Sequence, residues 1–135
     1  MASATHQFIL GLVIRSMRRY GAEIHGIHGN YPGKLGQPVP VPPEIERHKP
    51  DTLGLTLDGV LCTGDAKTES DIQSKRTAEQ IADFCGFSFM GKPCEVFIGI
   101  PSSSEAALKR VLRKHGLDHC LNLHVILVPD EIING

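Results

Sequence analysis

The 135-residue chain contains no tryptophan, two tyrosines and five phenylalanines. That scarcity counts against a pocket that recognises a nucleobase by aromatic stacking. Charge of one sign is not in excess either: the formal net charge is −1. This counts against a protein that coats nucleic acid indiscriminately, while leaving room for a local basic face. None of the four cysteines (Cys62, Cys85, Cys94, Cys120) falls in a C-x-x-C, and their spacing fits no common zinc or disulfide framework. Cys62 and Cys85 lie in apolar runs and read as buried thiols, so a reducing, cytoplasmic setting is expected. The apolar run Phe8–Ile14 is far short of the roughly 20 residues a membrane span needs, and no basic segment precedes it. It reads as part of a core helix, and no membrane partner is expected.

What is present fits one domain over residues 1–135, long enough to bury a core and too short for two. Leu10, Val13, Ile14 and Met17 recur at helical spacing, which predicts a first helix capped by Ser3 or Thr5 and running to about Tyr20, or on to about Gly26. Arg15, Arg18 and Arg19 crowd its end, as a solvated face favoured by the helix dipole or as phosphate contacts. Residues 30–43 are rich in proline and glycine and form a long loop or arm. Capping boxes at Ser70/Gln73 and Thr77/Gln80 predict a second helix ending near Gly86. Glu95–Ile100 and Leu123–Val128 are continuous apolar runs, expected as buried strands. A third helix between them, opened by Ser102/Glu105 and stopped by Gly116, makes them a parallel pair. Its outer face carries Lys109, Arg110, Arg113 and Lys114, most simply a solvated surface and otherwise an extension of a basic track.

The remaining stretch, His48–Glu69, reads as a β-hairpin. Leu53, Leu55 and Leu57 alternate on its first strand, Val60 and Leu61 open the second, and Asp58-Gly59 supplies the turn. A two-residue loop places Asp51 opposite Ala66, and a three-residue loop places it opposite Lys67. Either way Asp51, Asp65 and Lys67 gather at one end, with Asp65 and Lys67 on one face. Two carboxylates brought together repel, and one takes up a proton unless a cation compensates. Lys67 supplies one positive charge; a divalent ion preferring oxygen ligands, Mg²⁺ or Mn²⁺, would supply the rest. The simpler reading is an exposed Asp–Lys pair. Histidines offer less: His25 and His28 are a lone H-x-x-H, His48 sits beside the hairpin as an incidental residue or a phosphate contact, and His115, His119, Cys120 and Cys94 match no metal-site spacing.

Pro50-Asp51, thirteen residues, then Asp65-Ala66-Lys67, followed by a helix carrying Gln80, resembles the PD-(D/E)XK nuclease superfamily, which includes restriction endonucleases and archaeal-type Holliday junction resolvases. The resemblance implies an α/β fold of restriction endonuclease-like type, a mixed β-sheet flanked by helices, and its core order agrees with the α-β-β-α-β-α-β order read above. It implies a Mg²⁺-dependent endonuclease, with Mn²⁺ able to substitute, that hydrolyses DNA phosphodiester bonds. Asp51, Asp65, Lys67 and Gln80 would be catalytic. Asp51, Asp65, the Ala66 carbonyl and Glu23, as the acidic residue of the first helix, would hold metal. Lys67 would position water or stabilise the phosphate. Arg76, sharing a helix face with Gln80, together with Lys75 and Arg19, would contact the DNA backbone. One site in a small domain cuts one strand, so a homodimer is expected. A domain of this size resembles junction resolvases and phage or mobile-element nucleases most. Two other classes compete: a non-catalytic nucleic-acid-binding or assembly module with a nuclease fold, and a metal-dependent phosphoesterase acting on a small molecule.

Overall fold

A computed structural model describes residues 4–28 and 42–134. The Pro/Gly-rich arm falls almost entirely outside the described residues. The first helix, α1 (Ala4–Tyr20), buries Ile9, Leu10, Val13, Ile14 and Met17 along one stripe. It ends at Tyr20 because Gly21 takes a φ of +112°. There the Gly21 N–H donates to Arg18 O and the Ala22 N–H to Met17 O, a Schellman closure that satisfies two terminal carbonyls. The chain then enters β1 (Glu23–Ile27) instead of continuing as helix.

The hairpin forms as β2 (Thr52–Leu55) and β3 (Leu61–Ala66). Its loop is Leu57–Gly59, with Gly59 at a φ of +88° and the Thr56 N–H donating to Val60 O. That three-residue loop begins one position earlier than expected. It pairs Thr52 with Gly64 and Leu55 with Leu61, and by the same register Asp51 falls opposite Asp65, in place of Ala66 or Lys67. Leu57 is consequently fully exposed instead of alternating with Leu53 and Leu55. After α2 (Glu69–Ile72), α3 (Lys75–Cys85) and a small hairpin of β4 (Ser88–Phe89) and β5 (Lys92–Pro93), the chain runs through β6 (Glu95–Pro101), α4 (Glu105–Lys114), β7 (Leu123–Val128) and α5 (Asp130–Asn134). The capping differs from expectation. Thr68 and Asp71 form the box of α2, and Ser74 caps α3 by accepting from the Thr77 N–H. A 3-10 turn, Ser102–Ser104, precedes α4, with Ser103 bonded to Asp130 where a capping box was expected.

The five-stranded mixed sheet has the order β1-β2-β3-β6-β7, with β1, β2 and β3 antiparallel in turn and β3, β6 and β7 parallel. Residues of β6 alternate between two cores. Phe97 packs under α1, while Val96, Ile98 and Ile100 pack with Ile81 and Phe84 of α3 and Leu108 and Leu112 of α4. Helices therefore cover both faces. Among the described residues no helix is long and apolar enough to cross a membrane.

Two glycines set how closely α1 approaches the sheet. A Cβ at Gly64 would lie 2.6 Å from Met17 Sδ and 2.6 Å from Thr52 Cγ2, and one at Gly99 would lie 2.5 Å from Val13 Cγ2 and 2.7 Å from Ile9 Cγ2. The Val and Ile methyls sit on stiff β-branched carbons and give way only if the helix moves. Gly99→Ala is therefore expected to destabilise the fold by about 1–3 kcal/mol through overpacking. A urea midpoint equal to that of the parent protein would show that α1 has room to shift.

Candidate active site

The site lies at the carboxyl ends of β3 and β6, where side chains from α1, β2, β3 and α3 meet. Asp65 is the last but one residue of β3 and only 3% exposed. Its Oδ1 accepts from the Asp51 N–H at 3.1 Å. Its Oδ2 is buried and has no hydrogen-bond partner among the described residues. Burial first, and the Asp51 charge second, push the Asp65 carboxyl well above the usual carboxylate range, against the opposing pull of Lys67 and the Asp51 N–H. Asp51, half-buried just before β2, accepts at Oδ2 from the Ala66 N–H at 3.0 Å. Lys67 continues β3, its N–H donating to Gly99 O at 2.9 Å and its ammonium donating to Gln80 Oε1. Gln80 is buried on α3, as its place in the second turn of that helix requires if it is to reach back over the sheet end. Asp51, Asp65, Ala66, Lys67 and Gln80 are thus brought together.

His6 was not visible as a site residue. Its Nε2 lies 3.0 Å from Asp51 Oδ2, and that hydrogen bond holds the imidazole pKa above its ordinary value even though burial opposes the charge. The signal was present in the helical period: His6 extends the stripe of Ile9, Leu10, Val13 and Met17 by one turn toward the N-terminus. A polar residue on a buried stripe needs a polar partner, and Asp51 is that partner.

Four expected contributors lie elsewhere. Glu23 is exposed at the start of β1 opposite Leu55, whereas Asp51 adjoins Thr52, the partner of Ile27. Four residues of strand separate the two ends, about 13 Å. The Gly21 turn is the cause, since it takes Glu23 off α1 and carries it to the far end of the sheet. Arg19 is exposed thirteen residues along α1 from His6, about 20 Å away along the helix axis. Arg76 is exposed while Gln80 is buried, so these two residues do not present together to the site. Lys75 is exposed as well and reaches Glu79 at 3.9 Å.

His48 has a structural partner and does not face the site. Its Nδ1 is 2.9 Å from Asp83 Oδ2, and Arg47 donates to both oxygens of Asp83 at 3.2 and 3.0 Å. This network pins the segment that delivers Asp51 onto α3. The Arg47 guanidinium, with help from His48, holds the Asp83 carboxyl below its ordinary value of 3.8. A depressed folded value means the stabilisation is present above the unfolded value and lost as pH falls through the folded one. Asp83→Asn is therefore expected to lower the melting temperature near neutral pH, with the gap to the parent closing below about pH 3.8. An equal gap at both ends of the range would contradict the ion-pair account. The four cysteines are free, and burial pushes the Cys62 thiol up to about 12 and Cys94 up to about 11, far from a reactive or metal-binding thiolate.

Among the described residues no three His, Cys, Asp or Glu side chains form a group able to hold an ion by themselves. The donors on hand are two carboxylates, one with an orphaned buried oxygen. That set suits Mg²⁺, which commonly takes one or two carboxylates and fills the rest of its octahedron with water and substrate phosphate. It falls short of zinc, whose structural sites close with four ligands and whose catalytic sites take three protein ligands that include histidine or cysteine. In comparisons with known proteins, the chain matches no family model, no curated protein and no solved structure.

Proposed function

We propose that this chain is a Mg²⁺-dependent endonuclease that hydrolyses DNA phosphodiester bonds, with a restriction endonuclease-like core of the PD-(D/E)XK type. The observation that carries the reading is the orphaned Oδ2 of Asp65, a buried carboxylate oxygen beside a second carboxylate and an ammonium at the end of parallel strands. A carboxylate left ionised in that state costs several kcal/mol, which is relieved by keeping its proton or by taking up a cation. Ligands commonly bind outside the carboxyl ends of parallel strands, where this cluster lies.

Asp51 and Asp65 would hold Mg²⁺, with the Ala66 carbonyl as a further oxygen. The ion supplies a coordinated water of lowered pKa and shields the phosphate from the two carboxylates. His6 fixes Asp51 Oδ2, and the Ala66 N–H holds the same oxygen from the other side, so the carboxylate enters the reaction already oriented. Lys67, moored by Gln80, carries positive charge to the non-bridging oxygens as negative charge develops there. Positioning and charge stabilisation are the roles assigned to it. One site cuts one strand, so double-strand cleavage or junction resolution requires a homodimer, and the small size fits a resolvase or a phage or mobile-element nuclease.

Mg²⁺ is expected to raise the melting temperature by mass action, and Asp51→Asn to remove most of that rise. A labelled four-way junction, a plain duplex and a single strand, each incubated with Mg²⁺, rank the substrates. A melting temperature indifferent to Mg²⁺ and to chelator would remove the metal site. Binding of DNA without cleavage under Mg²⁺ or Mn²⁺ would move the protein to the non-catalytic class.

A further inference from the structure

We infer that the cleft between the α2–α3 turn and α4 holds the phosphate backbone of the nucleic acid as it leaves the reacting phosphodiester; this rests on the nuclease reading above. The cleft, about 210 Å³, is walled by Arg110 and Lys114 of α4 and by His115 just after it on one side, and by Gln73 and Ser74 on the other. No carboxylate lines it. Arg110 and Lys114 are four apart on α4, so both side chains rise from one face. Neither makes an ion pair among the described residues. The single acid of α4, Glu105, is engaged 3.5 Å from Lys109, which leaves three cations of that helix uncompensated. In a chain of net charge −1, this concentration on one helix is a marked local departure.

Continuity with the active site comes from a second, larger groove of about 670 Å³. Its lining includes Thr68, the residue after Lys67, and Gln73, which lines both cavities. Gln73 is thus common to both grooves, and the larger one starts one residue along the chain from Lys67. The two parts differ in chemistry. The near groove is lined by hydroxyls and by Glu69 and Asp130, with Asp130 held by Ser103 at 2.9 and 2.6 Å. Such a surface suits sugars and base edges and disfavours phosphates. Past Gln73 the carboxylates end and the cations begin, and there the next phosphates are accommodated. Arg76, two residues on from Ser74, is exposed and also without an ion pair among the described residues.

The test is duplex binding by the full chain, followed by fluorescence anisotropy across a salt titration in chelator. Three proteins are compared: the parent, Arg110→Ala/Lys114→Ala, and Lys109→Ala/Arg113→Ala. The last pair makes the same charge change on the other side of α4, where both side chains line a separate groove against β7. The cleft variant is expected to bind at least about tenfold more weakly, with the slope of log K against log salt reduced by about 2, one for each lost phosphate contact. The control variant is expected to keep the parental slope. Equal behaviour of the two variants, or a parental slope in the cleft variant, overturns the inference while leaving a parent that binds and cuts as a nuclease. A parent that binds neither duplex, single strand nor junction overturns the nuclease reading together with it.

Discussion

Asp65→Asn is expected to abolish Mg²⁺-dependent cleavage and, in the same protein, to raise the melting temperature measured in chelator at neutral pH. Both effects come from the position of one carboxylate. Asp65 is buried, its neighbour Asp51 is like-charged, and its Oδ2 has no partner among the described residues. With a folded pKa raised above the unfolded value, the stabilisation is complete below about 3.8 and is lost as pH rises through the folded value. Each unit between the two values costs about 1.4 kcal/mol. Asn keeps the acceptor for the Asp51 N–H and carries no charge to desolvate. Its amide adds an unsatisfied donor, about 1–3 kcal/mol. An unpaired buried charge costs more than that, and so the variant gains. The variant should lie slightly below the parent in acid, where only its unsatisfied amide counts, and above it toward neutral pH, so that the two melting curves cross. Activity moves the other way, because losing a carboxylate ligand removes several kcal/mol of charge stabilisation, about a thousandfold in rate or more. A variant less stable than the parent at every pH would mean that Asp65 is a structural acceptor and nothing more.

Lys67→Ala is expected to slow single-turnover cleavage by about 10²–10⁴-fold while leaving Mg²⁺ affinity undiminished. The ammonium stands beside the carboxylates and opposes cation uptake, so its removal does not weaken metal binding. What it removes is charge stabilisation realised as the phosphate reacts, the interaction whose loss is typically that large. Gln80→Ala should cost much less, about tenfold, since it unmoors Lys67 without deleting the charge. The order of the two effects separates a group that acts on the phosphate from one that positions it. Equal losses in the two variants, or loss of Mg²⁺ binding in Lys67→Ala, would show that the pair supports the sheet end and does not act on substrate.

How much of this was legible in the sequence depends on which interactions set each element. The stripe on α1 and the apolar runs of β6 and β7 are local patterns, and each element formed within a residue or two of where its pattern placed it, although β7, expected as a buried strand, lies at the sheet edge with Val125 and Leu127 exposed. The gathering of Asp51, Asp65 and Lys67 was legible because a hairpin joins them through a short loop, whatever the register. The register itself was not, because Leu57 reads as one more alternating leucine until Thr56 bonds Val60 and expels it. β1 was illegible for a different reason. Glu23–Ile27 contains a glycine and a bulge between Ile24 and Gly26, and it is a strand only because β2 pairs with it. That pairing decided the first helix's contribution. With Gly21 ending α1, Glu23 leaves the site. With Gly64 and Gly99 letting α1 lie flat on the sheet, the N-terminal turn of the helix reaches Asp51 and brings His6. Neither glycine signals this alone, because the close approach exists only once helix and sheet are packed.

The measurement that tests the central claim most directly is cleavage of a labelled DNA duplex and four-way junction by the parent protein and by Lys67→Ala, each in Mg²⁺ and in chelator. The account predicts product only from the parent and only with Mg²⁺. Cleavage that persists in chelator, or that Lys67→Ala performs as fast as the parent, would contradict it.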